Sequence, residues 1–380
     1  MNYPIYMDYN ATTPCYPEVV EVMMPYFSAH FGNAASKNHP YGWLADDAVE
    51  TARAQVAALI GAKPKEVIFT SGATEAINLG IRGVFEYYKG ESQHYITCET
   101  EHKAVLDTFK YLEEQGAEVT YLTVDNFGRI DLSELGDRIQ THTKMVCLMW
   151  ANNETGVIHP MSEIQAICKA HKVILMSDAV QAAGKIPINT SDIHLMAISA
   201  HKMYGPKGVG ALFIRHNHPL PKPVGQLTGG GHEKGFRSGT LNVPAIAGFG
   251  KAAEIRIRTM EAESVRLKKL ASHLEKSILE IPGSYLNGSA ERLPHVINIS
   301  FDGVEGEDLL RSVNKVIAVS SGSACSSITP KPSHVLQAMG VATDLARASI
   351  RFSLGTMTTE SDVSKAAAYV SAVIEELRSK

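Results

Sequence analysis

The stretch that decides the fold is residues 195–210, which read LMAISAHKMYGPKGVG. Its first four residues form an apolar run bounded by polar residues, which is typical of a buried strand. Lys202 therefore follows the carboxyl end of a strand and precedes a loop of Gly and Pro. A second apolar run, VILM at 173–176, leads into Asp178 about 24 residues upstream, enough chain for one crossover between parallel strands. Asp178 and Lys202 should therefore project from adjacent strand ends, where open α/β sheets bind ligands.

An acid and an amine in this arrangement allow two interpretations. A lysine that forms a Schiff base, with an aspartate that keeps a pyridine nitrogen protonated, is what pyridoxal phosphate requires of a protein. An ordinary salt bridge at a sheet edge would use the same two residues. The choice between these interpretations depends on the residues at the ends of the other strands.

A helix start provides a candidate phosphate site. The strand-like run VIFT at 67–70 is followed by SGATE at 71–75 and then by a helical pattern. Small residues in such a turn leave backbone N–H groups free at the helix N-terminus, where the macrodipole adds positive potential. This turn is therefore a candidate for holding a phosphate, although Ser, Thr and Gly also cap helices that bind nothing.

Further polar residues come directly after strand-like runs along the chain. His102 follows the run at 95–98, and Asn153 follows the run at 145–150. The carboxyl ends of parallel strands meet at one edge of a sheet, so these side chains should converge with Lys202. A phosphate seat, an imidazole, an amide, a carboxylate and a lysine together suit an aldehyde-bearing, phosphorylated pyridine ring.

The order of the strand and helix patterns predicts the fold class. Repeated units of strand, polar loop and helix indicate an α/β domain with a mostly parallel sheet and helices on both faces. A long, charge-rich helical pattern at 251–280 ends in Pro-Gly, and the composition then changes. We therefore expect a large domain over 15–260 and a smaller α+β domain formed by 1–14 and 261–380.

Two helical patterns precede the first of these units. Pro17 favours the start of a helix that continues to about His30. A second helix is expected between the loop FGNAAS at 31–36 and Gly61. Its residues at helical spacing are Trp43, Leu44, Ala48, Ala52, Val56 and Leu59. We predict that this stripe packs into the core.

Composition and charge exclude several classes of protein. The 380 residues carry 36 Lys and Arg against 40 Asp and Glu, so nothing indicates a surface for nucleic acid or membrane. No apolar run approaches the roughly 20 residues that span a bilayer, and the N-terminus lacks the features of a secretion signal. Five cysteines without framework spacing argue for a reducing compartment. We expect a cytoplasmic protein, and no metal site is predicted.

The cysteines lie in contrasting surroundings. Cys98, Cys147 and Cys168 lie in strand-like or amphipathic runs and are predicted to fill the core, whereas Cys15, in a Pro-flanked turn, is ambiguous. Cys325 lies among the small residues of SSGSACSS. A flexible, exposed segment of this kind suits a thiol that attacks a substrate and then delivers sulfur elsewhere. An inert surface cysteine would also be compatible with these neighbours.

Six motifs together resemble those of the cysteine desulfurases. In chain order they are TSGATE at 70–75, TEHKAV at 100–105, NNETG at 152–156, DAVQ at 178–181, SAHKMYGPKG at 199–208 and RSGT at 237–240. These are pyridoxal phosphate enzymes of fold type I in the class V aminotransferase group, and the IscS/NifS branch is the most similar. The resemblance covers nearly the whole chain. It implies a seven-stranded, mostly parallel sheet in the large domain, a small domain that carries the catalytic cysteine, and a homodimer.

The same resemblance implies roles for single residues. Lys202 would form the Schiff base, Asp178 would hold the pyridine nitrogen, and His102 would stack on the ring and move protons. Cys325 would receive the sulfur. By the same resemblance, Asn153 and Gln181 would contact the ring hydroxyl, and the phosphate would be held by Ala73, Thr74, Ser199 and His201. Thr240 would contact the phosphate that is bound by the partner subunit. The substrate would be bound by Asn33, Asn153 and Arg351.

The implied activity is conversion of L-cysteine to L-alanine with transfer of sulfur to Cys325 as a persulfide. The sulfur would go to an acceptor protein such as an iron-sulfur scaffold, and possible use in tRNA thiolation is also implied. A selenocysteine lyase, another class V aminotransferase and a non-catalytic binding homologue stay open as alternatives. An NAD-binding protein is disfavoured because no G-x-G-x-x-G comes after a strand.

The sequence departs from the family pattern at two points. Ala34 replaces the usual proline of the FGN loop, which affects the stiffness of the backbone. The chain ends at Lys380, soon after its last amphipathic helix. We therefore expect it to lack the longer C-terminal extension with which IscS proteins meet their scaffold, and this leaves the sulfur acceptor open.

Overall fold

The computed structural model describes residues 3–216, 221–321 and 332–380. In chain order its strands are β1 (Ile5–Tyr6), β2 (Val67–Thr70), β3 (His94–Cys98), β4 (Glu118–Leu122), β5 (Thr143–Cys147), β6 (Ile174–Asp178), β7 (Leu195–Ser199), β8 (Gly210–Ile214), β9 (Ser284–Asn287), β10 (Val296–Phe301), β11 (Ile317–Ala318) and β12 (Ser349–Ser353). Its α-helices are α1 (Pro17–Met23), α2 (Pro25–Ser28), α3 (Pro40–Leu59), α4 (Ala73–Tyr87), α5 (Lys103–Glu114), α6 (Leu132–Arg138), α7 (Met161–His171), α8 (Val243–Leu279), α9 (Gly306–Val313), α10 (His334–Ala338), α11 (Thr343–Arg347) and α12 (Glu360–Arg378).

The largest sheet of the described residues has seven strands in the order β2-β8-β7-β6-β5-β3-β4. Strand β8 runs antiparallel to both of its neighbours, and the other neighbouring pairs are parallel. The prediction of a mostly parallel seven-stranded sheet is confirmed. Because β6 and β7 pair directly, with Asp178 opposite Ala197, the two strand ends that the sequence singled out are neighbours.

Helices bury both faces of this sheet, which explains why its strands are apolar on both sides. Along β2, Ile68 packs with α4 and α5 on one face, whereas Phe69 packs with α3 and α8 on the other. Along β7, Ala197 and Met196 divide between the same two faces. Packed helices on both faces therefore fix the positions of the strand ends.

A second core packs around two smaller sheets and includes residues near both ends of the chain. Strands β12, β10 and β9 form an antiparallel sheet, and β1 pairs in parallel with β11. The C-terminal part of α8, from Leu267 to Ile278, packs here with α9 and α12, whereas residues 243–253 of α8 pack against the large sheet. From this division of apolar contacts we propose a domain boundary near residue 260, inside α8.

Two predictions about the N-terminal helices are wrong. The helix expected from Pro17 to His30 is divided into α1 and α2, because Pro25 has no N–H to donate within a continuous helix. Trp43 and Leu44, expected in the core, are 55% and 50% exposed. The buried face of α3 begins at Gly42 and Ala45 and continues through its small residues, whereas the two larger side chains lie beside this face and are about half exposed.

Helix α8 also begins earlier than its charge pattern indicates. The predicted start near Lys251 falls inside the helix, which starts at Val243 with the Asn242 side chain accepting from the backbone N–H of Ala245. The first turns are buried and apolar, so they lack the polar face that marks a surface helix in a sequence. Among the described residues, no helix combines the length and the apolar character that crossing a membrane requires.

Candidate active site

A cavity of 540 Å³ lies where β6 and β7 end and α4 begins. Parallel strands present their carboxyl ends here, and the loops after them supply the side chains. The site residues predicted from sequence that line this cavity are Ala73, Thr74, His102, Asn153, Asp178, Gln181, Ser199, His201, Lys202 and Arg351. Residues separated by more than half of the chain therefore meet in one space.

Three predicted site residues do not line this cavity in the described structure. Asn33 is exposed in the loop before α3, where its Oδ1 accepts from the backbone N–H of Ala35 at 2.9 Å. Thr240 is also exposed, shortly before α8. Cys325 lies outside the described residues. The roles of these residues rest on the sequence alone.

Lys202 ends a short 3-10 turn that continues directly from β7. Its Nζ donates to the carbonyl oxygens of Asn10 at 2.6 Å and of Ala11 at 2.7 Å. Burial lowers the pKa of this amine from 10.5 to about 8, and the charge of Arg351 contributes to this lowering. A larger fraction of the amine is therefore neutral near physiological pH, which is the form that attacks a carbonyl carbon.

Asp178 ends β6 and is buried, with Oδ1 accepting from the backbone N–H of Val180 at 2.9 Å. Burial raises the pKa of this carboxyl, and its electrostatic interactions with His102 and Lys202 oppose the shift. A buried carboxylate in such surroundings is stabilised by a cationic partner that hydrogen-bonds to it. A protonated pyridine nitrogen is a partner of this kind.

The N-terminus of α4 provides backbone donors at the other end of the cavity. The helix begins at Ala73 directly after Gly72, so the first N–H groups have no partner within the helix. Gly210 of β8 packs against this turn, where a Cβ atom would lie 2.8 Å from the carbonyl carbon of Gly72. The close approach of two backbones therefore requires glycine here and leaves an opening suited to a phosphate.

Two histidines at the cavity have defined hydrogen bonds. His102 caps α5, and its Nδ1 accepts from the backbone N–H of Ala104 at 3.1 Å, so a proton on the neutral ring lies on Nε2. His201 Nδ1 lies 3.2 Å from Thr12 Oγ1. Burial, reinforced by the charge of Lys202, lowers the pKa of His201 to about 4. His201 is therefore neutral at physiological pH.

Arg351 brings a guanidinium to the cavity from β12 of the three-stranded sheet. It is buried, and it donates to Asp8 Oδ1 at 2.7 Å and to the carbonyl oxygen of Asn153 at 2.9 Å. Its Nε is buried and has no hydrogen-bond partner among the described residues. A guanidinium beside a cavity suits the carboxylate of an amino acid.

The structure adds two residues that the sequence did not indicate. Asn10 is buried, and its carbonyl oxygen accepts from both Lys202 and Gln181, while its Nδ2 donates to the carbonyl oxygen of Asn153 at 3.0 Å. His334 lines the cavity, and its Nε2 lies 3.0 Å from the carbonyl oxygen of Glu101. The polar run after β1 is the only sequence signal for Asn10, and we find none for His334.

These groups fit pyridoxal phosphate. The amine of Lys202 has a lowered pKa, the buried Asp178 is suited to a pyridinium, and α4 offers free backbone N–H groups beyond a close glycine contact. Each matches one part of the molecule, namely its aldehyde, its ring nitrogen and its phosphate. The chemistry of the donor set therefore agrees with this cofactor.

The chain is similar to proteins of one family over its whole length. It matches the class-V aminotransferases over residues 5–365. Relatives from Anaeromyxobacter and Neisseria meningitidis, both named cysteine desulfurase IscS, are 51% and 49% identical to it over 100% and 99% of this chain and 94% and 93% of their own length. A solved structure described as a NifS-like protein has a TM-score of 0.92 and 36% identity, and the match covers 98% of this chain and 100% of that one.

The matches agree with the site geometry, since the cavity holds the amine, the carboxylate and the helix N-terminus that this family's motifs predict. The chain therefore belongs to the class-V aminotransferase family, among its cysteine desulfurases of the IscS/NifS branch.

Proposed function

We propose that this chain is a pyridoxal phosphate-dependent cysteine desulfurase that converts L-cysteine to L-alanine. One observation carries the proposal: Lys202, Asp178 and the start of α4 line one cavity, in a chain that is 51% identical to a relative named cysteine desulfurase. Pyridoxal phosphate is the cofactor of this family. The sulfur is transferred to Cys325, which lies outside the described residues.

The bound cofactor withdraws electrons from the Cα of an attached amino acid, and the chain's residues control protons and orientation. The Asp178 carboxylate holds a proton on the pyridine nitrogen and so maintains that withdrawal. The Lys202 amine, with its pKa of about 8, takes the proton from Cα and later returns it. Arg351, whose side chain lines the cavity, holds the substrate carboxylate and so orients the Cα proton toward Lys202.

The sulfur step needs only the substrate and one cysteine of the chain. The Cys325 thiolate attacks the substrate sulfur, a sulfur–sulfur bond forms, and the bond between sulfur and Cβ breaks. The bonding electron pair stays on the carbon fragment, and a proton taken up there completes the alanine. L-cysteine and one thiol therefore give L-alanine and one persulfide, with no added oxidant or reductant.

Mass spectrometry after incubation with L-cysteine tests the proposal. The peptide that contains Cys325 should gain the mass of one sulfur in the wild-type protein and should not gain it in Lys202→Ala. Cys325→Ala should form no alanine from L-cysteine. Alanine release that persists in Cys325→Ala would contradict the persulfide route and point instead to a lyase or another class-V aminotransferase.

A homodimer is also part of the proposal. Thr240 is exposed and lies outside the lining of its own chain's cavity in the described structure, which agrees with a contact to the phosphate bound by the partner subunit. A group of exposed apolar side chains also supports a dimer, because protein interfaces cover side chains of this kind. They belong to α2, to the start of α3 and to the residues before these helices, and they are Met24, Phe27, Phe31, Tyr41, Trp43 and Leu44.

The persulfide must finally pass its sulfur to another molecule. A thiolate of an acceptor protein is the nucleophile suited to this exchange, and we propose an iron-sulfur scaffold or a carrier for tRNA thiolation. The cysteines of the described residues, Cys15, Cys98, Cys147 and Cys168, are free thiols. Reduced cysteines agree with a cytoplasmic location, which we also propose.

A further inference from the structure

Lys185 is a buried lysine that the proposed chemistry does not use. It lies in the turn after β6, four residues beyond Gln181, and is 8% exposed. Its Nζ donates to Gln181 Oε1 at 2.9 Å. Among the described residues, the amine makes no second hydrogen bond. Burying a lysine amine is costly, so a position that only filled space would be better served by an apolar side chain.

The bond from Lys185 determines which way the Gln181 amide faces. With Oε1 held by the amine, Gln181 Nε2 donates to the carbonyl oxygen of Asn10 at 3.1 Å. Reversing the amide would bring Oε1 against the Asn10 oxygen, and two acceptors would then face each other. Because Gln181 also lines the cavity, its second Nε2 hydrogen is available to a ligand oxygen there.

The backbone around Lys185 is fixed from a different element. The carbonyl oxygen of Gly184 accepts from Arg256 Nε of α8 at 2.7 Å, and Arg256 also forms a buried ion pair with Glu263. Gly184 has a φ of 71°, a conformation that glycine adopts without strain. The turn therefore presents the Lys185 amine to Gln181 from a constrained position.

The surroundings of Lys185 are mainly positive. Burial lowers the pKa of its amine well below 10.5, and the charges of Lys202, Arg256 and Arg351 lower it further, with Glu263 opposing them. A neutral amine retains N–H donors, so the bond to Gln181 does not depend on a positive charge.

We propose that Lys185 is a positioning residue that holds the Gln181 amide with its N–H toward the cavity, where it meets the ring hydroxyl oxygen of pyridoxal phosphate. The inference rests on the proposed function only for the identity of that ligand. The hydrogen bonds from Lys185 to Gln181 and from Gln181 to Asn10 carry it. The same Asn10 oxygen accepts from Lys202, so the fixed amide also faces the neighbourhood of the reactive amine.

A double-mutant cycle on cofactor binding tests this role. The variants are Lys185→Met, Gln181→Met and the double variant, and the measurements are the dissociation constant of pyridoxal phosphate from apo-protein and the absorbance spectrum of the bound form. Lys185→Met should weaken binding by about tenfold, the effect of one hydrogen bond. In the Gln181→Met background the same change should have no effect. Additive losses, or wild-type binding by Lys185→Met, would overturn the inference.

Two further variants separate positioning from folding. Lys185→Gln keeps a side-chain donor and should restore part of the affinity and the wild-type spectrum; a loss as large as that of Lys185→Met would overturn the role of the donor even if the Met variant folds poorly. Lys144→Met is the matched control, since Lys144 is a largely buried lysine that pairs with Glu91 and does not line the cavity. The affinity of this variant for pyridoxal phosphate should equal that of the wild type. Cofactor affinity is independent of alanine formation, so failure of the proposed desulfurase activity would be seen separately.

Discussion

Lys202 is the residue whose protonation should control cofactor attachment. Burial lowers the pKa of its amine to about 8, and only the neutral amine attacks an aldehyde. When apo-protein is mixed with pyridoxal phosphate, the rate at which the visible absorbance develops should therefore rise with pH and level off above about pH 8. Stopped-flow absorbance measures this rate, and Lys202→Ala should give no such phase. A midpoint close to the ordinary lysine pKa would contradict the prediction.

Glu101, directly before His102, is predicted to be a neutral acid. It has no exposed surface, Oε1 accepts from the backbone N–H of Met149 at 2.5 Å, and Oε2 has no partner among the described residues. Burial raises the pKa of this carboxyl well above 4.5, and the charge of Asp178 raises it further. The folded chain therefore keeps a proton that the unfolded chain releases above the ordinary carboxyl pKa, and this proton uptake disfavours folding more strongly as the pH rises.

Replacing Glu101 by a neutral isostere should accordingly be tolerated. We expect Glu101→Gln to change the free energy of unfolding at neutral pH by less than about 1 kcal/mol, whereas Glu101→Ala should lose about 2–4 kcal/mol through a cavity and an unpaired Met149 N–H. Urea unfolding at two pH values measures both, and the Gln variant should gain on the wild type as the pH rises. An equal loss in Gln and Ala would mean that the native side chain is ionised.

At the scale of elements, a buried ion pair secures the loop that carries Thr240. Glu233 of this loop accepts from both Arg53 terminal nitrogens, at 2.7 and 2.8 Å, and from the backbone N–H of Phe69 in β2 at 2.7 Å. Glu233 and Lys234 have φ values of 47° and 58°, a strained conformation for residues with a side chain. The ion pair between Glu233 and Arg53 of α3 therefore stabilises a loop conformation that the backbone alone disfavours.

Breaking this pair should destabilise the protein strongly. Arg53→Met leaves the Glu233 carboxylate buried without its partner, and we expect a loss of about 3–5 kcal/mol in the free energy of unfolding. Arg311→Met removes an exposed ion pair with Glu307 and should change it by less than about 1 kcal/mol. Urea unfolding of the two variants beside the wild type makes the comparison, and similar small losses would refute the structural importance of the buried pair.

At the scale of the whole molecule, the proposed dimer can be tested through the origin of Thr240. In a mixed dimer of Lys202→Ala and Thr240→Val chains, the site that retains Lys202 would receive Thr240 from the other chain and should bind pyridoxal phosphate normally. If both changes lie in one chain and its partner is wild type, the Lys202 site should bind about tenfold more weakly, having lost one hydrogen bond to the phosphate. Equal affinities in the two mixed dimers, prepared with different affinity tags, would exclude a crossed contact.

The sequence anticipated much of the fold because the strands have a simple apolar signature. Runs such as LMAI before Lys202 and VILM before Asp178 are apolar on both faces, as strands of a covered parallel sheet must be. Helix faces were harder to predict. Trp43 and Leu44 have helical spacing yet are exposed, because spacing identifies a face without saying whether another part of the chain covers it.

By itself, the sequence determined that Asp178 and Lys202 come after neighbouring strand ends, since apolar runs and their spacing are local properties. Only the tertiary structure decided that Asn10 accepts from Lys202 and Gln181, that Lys185 donates to Gln181, and that Arg351 comes to the cavity from a separate, three-stranded sheet. Apart from the bond between Lys185 and Gln181, which are four residues apart, these contacts join residues far apart in the chain, and no periodic pattern in the sequence indicates them. They depend on how the two cores pack together. Packing buries these donors and acceptors, and a buried polar group without a hydrogen bond lowers the stability of the folded protein.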